Sequence, residues 1–202
     1  MNLSIIFNLE ENVTYKAVCI VEDEEKIRLL ADFTREEILR LLSVKPMTET
    51  QLSQKLGLTK AAIGYHLHLL AEADMVHIEK VEAEKHGILQ KYYSPAAALF
   101  IVDPDKIPKD VKTYFTQTQI QFLRGLLSAL KINHQVFRVS SKDMEKLALA
   151  LLNCLKKVGE KYSGKNVTKG DAETIRVKIY AEALAALTRR KEWKKIIGKK
   201  KQ

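Results

Sequence analysis

The least common side chains here with metal or nucleophilic chemistry are two cysteines, Cys19 and Cys154, and five histidines: His66, His68, His77, His86 and His134. A zinc centre needs three or four clustered His, Cys or carboxylate ligands. His66 and His68 are two apart on what reads as a helix and so point in different directions. The other histidines show no ligand spacing. There is no Walker loop, nucleophile elbow or GxGxxG run, each of which would supply a phosphate cradle or an activated hydroxyl. No metal, no cofactor and no enzymatic activity are expected. What remains is a hydrogen-bonding set, Lys60, Tyr65 and His68, interleaved with the small residues Ala61 and Gly64. Small residues allow close approach, and the polar ones can donate to phosphates and base edges, as a helix lying in the major groove of a duplex requires. A solvated helix face carries similar side chains, so the surrounding elements must decide.

Those elements are well marked. Thr48 and Gln51 have capping-box spacing, and Leu52 and Leu56 follow on one helical face. Gly57 supplies a permissive stop, and Thr59 can cap a second helix. In that helix Ile63, Leu67 and Leu70 form the core stripe. At about 100° per residue, Ala61, Tyr65, His68 and Glu72 fall opposite, with Gly64 beside them and Lys60 in the first turn. His66 lies between the faces, where a packed, hydrogen-bonded histidine is as good a reading as a phosphate contact. Residues 75–82 have strand character, 84–87 form a turn, and 88–94 make a second strand stopped by Pro95. Ahead of the pair, Thr34 and Glu37 offer another capping box before Ile38, Leu41 and Leu42.

A helix-turn-helix followed at once by a β-hairpin is the winged-helix arrangement. Residues 23–95 resemble the ArsR-type (arsenic-repressor-like) winged-helix transcription regulators, particularly archaeal members with a long helical C-terminal region. The resemblance rests on the Leu52–Leu58 helix, the Ile63/His66-Leu67/Leu70 helix, the Glu72–Val76 exit and the Lys91–Pro95 wing end. Asp74 stands where the family usually has glycine, and Asp tolerates the left-handed backbone that this position needs. Soft-metal sensors of the family use closely spaced cysteines, which are absent here. The resemblance implies a recognition helix over 59–73 in the major groove and a wing over 77–94 along the backbone or minor groove. The contacts expected on DNA are Thr59, Lys60, Ala61, Gly64, Tyr65 and His68, with Lys85, His86 and Lys91 on the wing. His86 at the wing tip equally suits a plain turn.

Charge argues less simply than the total suggests. The chain is +9 overall, yet residues 34–99 hold 8 basic and 8 acidic side chains. Residues 189–202 hold 8 basic and 1 acidic. A neutral module gains little from phosphate attraction, so two copies on a partly palindromic site are expected. No run reaches the roughly 18–20 apolar residues of a membrane span. The start lacks the basic region of a secretion signal, and a cytoplasmic protein is expected.

The expected fold is mainly α with a small β component, in three parts. Residues 1–22 form an N-terminal β-hairpin extension, from 3–9 and 13–21. Residues 23–100 form the winged helix-turn-helix domain. Residues 101–202 form an α-helical dimerisation or effector domain with a basic tail, the chain turning helical after Pro95. There, Met144, Ala148, Leu151, Leu155, Val158 and Tyr162 alternate at four and three, a coiled-coil-like seam. A second seam runs Val177, Tyr180, Leu184, Leu187 across an expected antiparallel hairpin. Both seams suit a partner chain or the core of one bundle. The function implied is a homodimeric, sequence-specific regulator binding double-stranded DNA, its effector unknown. The alternative is a winged-helix protein-interaction or nucleoprotein scaffold.

Overall fold

The computed structural model describes residues 14–83, 89–131 and 139–197. The fold is mainly α with two small sheets: a winged helix-turn-helix domain followed by further helices. The winged-helix part comprises α1 (Glu24–Leu30), α2 (Phe33–Val44), α3 (Glu49–Leu56), α4 (Lys60–Glu72), β2 (Val76–Ala83) and β3 (Leu89–Pro95). Around it lie β1 (Thr14–Val21), β4 (Ala97–Val102), α5 (Lys112–Lys131), α6 (Ser141–Glu160), β5 (Asn166–Thr168), α7 (Ala172–Thr188) and α8 (Lys191–Ile197).

Local chemistry sets most helix starts. Asp23 accepts from the Lys26 amide at 2.9 Å. Thr48 and Gln51 close a reciprocal capping box at 3.2 and 3.0 Å, satisfying two orphan amides at once. The start of α2 differs from expectation. Asp32, not Thr34, is its cap, accepting from the Arg35 amide at 2.9 Å, and Glu37 instead binds Arg40. Asp74 takes the left-handed conformation, φ 57°, at the exit from α4.

β1 is the centre of a three-stranded sheet in the order β4-β1-β5. It runs parallel to β4, with Lys16 opposite Ala97 and Val21 opposite Val102, and antiparallel to β5. The expected hairpin partner, 3–9, falls outside the described residues. β4 corrects the expectation that the chain turns helical after Pro95, and it runs through the expected boundary at 100/101. Its six residues, Ala-Ala-Leu-Phe-Ile-Val, are buried or half-buried throughout, so no alternation betrays the strand.

The helical half packs on this sheet. Ala17, Val18 and Ile101 share a core with Leu123, Leu147, Leu151, Ile179 and Trp193. Gly159 of α6 lies so near the sheet that a Cβ there would sit 2.6 Å from Ile101 Cδ1. All six residues of the expected α6 seam are buried within the chain's own core, so this seam serves intramolecular packing. On α7 the buried stripe is Ile179, Ala183 and Leu187, and Val177 is 60% exposed. Apolar residues occur on every side of α7, so spacing alone picks out no face. The second core gathers Ile38, Leu42, Leu52, Ile63, Leu67 and Leu70 from the winged helix with Val21, Val102, Phe115 and Leu152 from outside it. The two halves therefore share buried surface.

Where β4 ends, Asp103 is almost wholly buried and receives the Lys156 ammonium of α6 at 2.7 Å. Burial alone would raise the Asp103 carboxyl, but the bonds from Lys156 and the Asp105 amide hold it below the ordinary value. A depressed folded value stabilises the native state above the unfolded value, 3.8, and that contribution is lost as pH falls through the folded value. Asp103→Asn, which keeps the amide-accepting oxygen but removes the charge, should lower the thermal midpoint near neutrality. The gap from wild type should narrow as pH drops below 3.8 in a melting series; a gap independent of pH would show that the charge is not the cause.

Candidate nucleic-acid interface

Leu52 in α3 and Ile63, Leu67 and Leu70 in α4 are buried to 1% exposure or less, which fixes the rotation of both helices on the domain. Gly57 makes the turn between them at φ 66°, where a Cβ would be strained. Ser53 closes the turn by donating to the Leu58 carbonyl at 2.6 Å. Thr59 caps α4 through its Oγ1, which accepts from the Ala62 amide at 3.2 Å. The opposite face of α4 is then left to solvent: Lys60, Ala61, Tyr65 and His68 are exposed, and Gly64 is half-buried beside them. His68 Nε2 lies 3.4 Å from Glu72 Oε1, one turn further along.

Sequence leaves His66 open between a packed, hydrogen-bonded side chain and a phosphate contact, and the structure shows packing without a bond at Nδ1 among the described residues. The His66 ring is half-buried and edge-on to Tyr65 with ring centroids 5.5 Å apart. Its Nδ1 is buried with no hydrogen-bond partner among the described residues.

The wing is a two-stranded antiparallel hairpin, with Val76 opposite Pro95 and Ala83 opposite Leu89. Its root is tied to the segment before α3. The Met47 amide donates to the Tyr93 carbonyl at 3.2 Å, and the Tyr93 amide returns to the Met47 carbonyl at 2.9 Å. The Tyr93 hydroxyl donates to Glu49 Oε1 at 3.2 Å, and burial together with that carboxylate pushes the phenol up. The acidic side chains of the described wing strands, Glu79 and Glu82, are both engaged. A register shift near Ile78–Lys80 breaks the ladder, and Glu79 accepts from the buried Ser94 hydroxyl. Glu82 pairs with Lys80 at 2.8 Å, and hydrogen bonds from Lys80 and Tyr92 hold its carboxyl low.

These elements bring Lys60 and Lys91 into one groove of about 360 Å³, whose wall includes Thr48, Glu49 and Thr50 at the N-terminus of α3. Two ammonium groups beside a helix N-terminus favour an anion such as a phosphate; Glu49 in the same wall opposes it. Sequence spacing pointed to neither Glu49 nor Gln90, because both reach the groove through tertiary approach. The signal available was the cap at Thr48, which locates a helix N-terminus. A Cβ on Gly64 would sit 3.8 Å from the Glu49 carboxylate, in ordinary contact, so a small side chain fits and an acidic one meets a like charge. Lys85 and His86 fall outside the described residues. Among the described residues no three His, Cys, Asp or Glu side chains gather as metal ligands, and no helix is long and apolar enough to cross a membrane.

Residues 30–79 match a family model described as a helix-turn-helix domain, covering α2 through the first half of β2. No curated protein matches the chain. Among solved structures it is similar to the adhesin competence repressor AdcR of Streptococcus pyogenes, at 17% identity and TM-score 0.30, over 63% of this chain and 80% of that one. A variant of Lactococcus lactis ZitR aligns at 15% identity and TM-score 0.29, over 64% and 74%. A ZitR variant in its apo form gives 14% and 0.30, over 68% and 88%. Likenesses at this level bear no weight. The helix-turn-helix match and the geometry of α3, α4 and the wing together support a DNA-binding transcription regulator.

Proposed function

We propose that the protein is a sequence-specific, ArsR-like transcription regulator that binds double-stranded DNA as a homodimer. The recognition helix, 59–73, lies in the major groove, and the wing, 77–94, follows the backbone or minor groove. The observation that carries this reading is the exposed Lys60-Ala61-Gly64-Tyr65-His68 face, held opposite a fully buried stripe. Lys60 and Lys91 beside the start of α3 supply the phosphate contacts. The alternative scaffold role draws on a different observation: Glu49 and Glu72 stand beside the same face, and a protein partner tolerates these acids where a phosphate backbone does not.

Because Tyr65 is 60% exposed, Tyr65→Ala and His68→Ala should melt like wild type. Each should lose about 1–3 kcal/mol of discrimination between operator and scrambled duplex if its side chain reads a base. Gly64→Ala should fold and bind with a smaller loss, whereas Gly64→Glu should abolish binding. Folded variants that all bind the operator like wild type would hand the lead to the scaffold reading.

Dimerisation rests on the neutral charge of one module and on apolar surface left open by the helical half. Val177 is 60% exposed and Phe122 38%. Phe122 meets Tyr180, one turn from Val177, edge-on at 5.4 Å. Sedimentation at micromolar concentration should give about twice 23.0 kDa, and Val177→Asp should shift the protein toward monomer without changing its melting. A wild-type monomer would remove the half-site reading.

The basic C-terminus divides in two. Trp193 of α8 is buried in the helical core, and Lys195 lies 3.5 Å from Asp143, so removing all of 189–202 would damage the fold. Removing only residues 198–202, which carry three lysines, should weaken binding equally at all sites. It should also flatten the salt dependence by about 0.9 log–log unit per lost phosphate contact. An unchanged slope would place these lysines away from the DNA.

A further inference from the structure

A cavity of about 290 Å³ lies between the winged helix and the helical half. Leu39 of α2 and Leu30 of α1 contribute one side, Phe115 of α5 and Leu155 of α6 the other, and β4 passes along it. Its size sits at the lower end of small-molecule pockets, which begin near 300 Å³.

The charged groups on its wall are already occupied. Glu37 holds Arg40 through bonds of 2.9 and 3.0 Å. Arg176 donates to Glu173 at 2.8 Å, to the Ala98 carbonyl at 3.3 Å and to the Ser43 hydroxyl. Glu36 accepts from the Tyr114 hydroxyl at 2.9 Å. Gln119 is different: it lines the cavity at 7% exposure, and its Oε1 is buried without a hydrogen-bond partner among the described residues. A buried orphan acceptor is costly, and the terminal torsion of a Gln side chain is broad, so the amide can turn to present that oxygen to the cavity.

We propose that this cavity is a binding site for a small, uncharged ring compound carrying one N–H or O–H donor. The ring fills the apolar walls, and the donor satisfies Gln119. Arg40 and Arg176 are each paired with a carboxylate, and burial pushes the Glu36 carboxyl up, against its charged form, so the wall favours an uncharged ligand. Since the walls come from both halves, an occupant bears on the angle between α2 and the helices behind it. Given the DNA-binding reading above, on which this last step alone rests, such a ligand acts as the effector.

Indole and indene separate the terms, having nearly the same shape with and without the N–H. In calorimetry on the full-length protein without DNA, indole should bind saturably and about tenfold more tightly than indene. Gln119→Leu should erase the difference while still binding indene. Indole should also shift the Gln119 side-chain amide resonances of the wild-type protein, a readout that stands even if the variant does not fold. Saturating indole should then change wild-type affinity for a duplex from the gene's own upstream region. No saturable binding of either compound, equal affinities, or an unmoved Gln119 amide would overturn the site. Tight indole binding by a protein that shifts no duplex would uphold the site and count against the DNA reading instead.

Discussion

Parallel strands cannot be joined by a tight turn, so pairing β1 with β4 demands a long crossover. Here the crossover is the entire winged-helix module, from α1 to β3. The module is consequently held at both ends by neighbouring strands of one sheet, and that sheet is the floor on which α6 rests. Val21 and Val102, the last paired residues of the two strands, are both buried in the winged-helix core, while Ala17, Val18 and Ile101 belong to the helical core. The same two strands thus feed both cores. Loosening this pairing would release the reading head from the helical half and open the inter-core cavity as well.

What could be read in the sequence was mostly what local chemistry dictates. The Thr48–Gln51 box, the Thr59 cap, the Gly57 turn and the Ile63-Leu67-Leu70 stripe depend on residues within a turn or two of one another, and all four are found in place. At α2 both Asp32 and Thr34 offer a cap, and only the geometry chooses Asp32. β4 has no periodicity because it is covered on both faces. The α6 stripe follows from its four-and-three spacing and is buried, but spacing cannot distinguish a seam facing a second chain from one facing its own bundle. Within the site, the exposed face of α4 followed from its period. The groove shared by Lys60, Lys91 and Glu49 did not, because it is made by the wing folding back on α3.

The electrostatics of the reading face are set by local pairing more than by net charge. Residues 34–99 carry equal numbers of acids and bases, but Glu79 and Glu82 are taken up by Ser94 and Lys80, and Glu37 by Arg40. Among the described acids, only Glu49 shares the groove of Lys60 and Lys91. A surface balanced in this way attracts a polyanion weakly at long range, where screening acts over roughly 8–10 Å. Close contacts therefore have more to contribute than attraction from afar.

The paired backbone bonds between Met47 and Tyr93, backed by the Tyr93–Glu49 contact, have a mechanical consequence. They tie the root of the wing to the start of α3, so the wing strands and the α3–α4 unit stand as two jaws joined at one base. A duplex held in the proposed way would share in the adjustment, narrowing or bending where its grooves do not match the jaws. Stiff sequences resist that deformation and pliant steps yield to it. Part of the selection among sites would then be exerted through base pairs that the protein never touches.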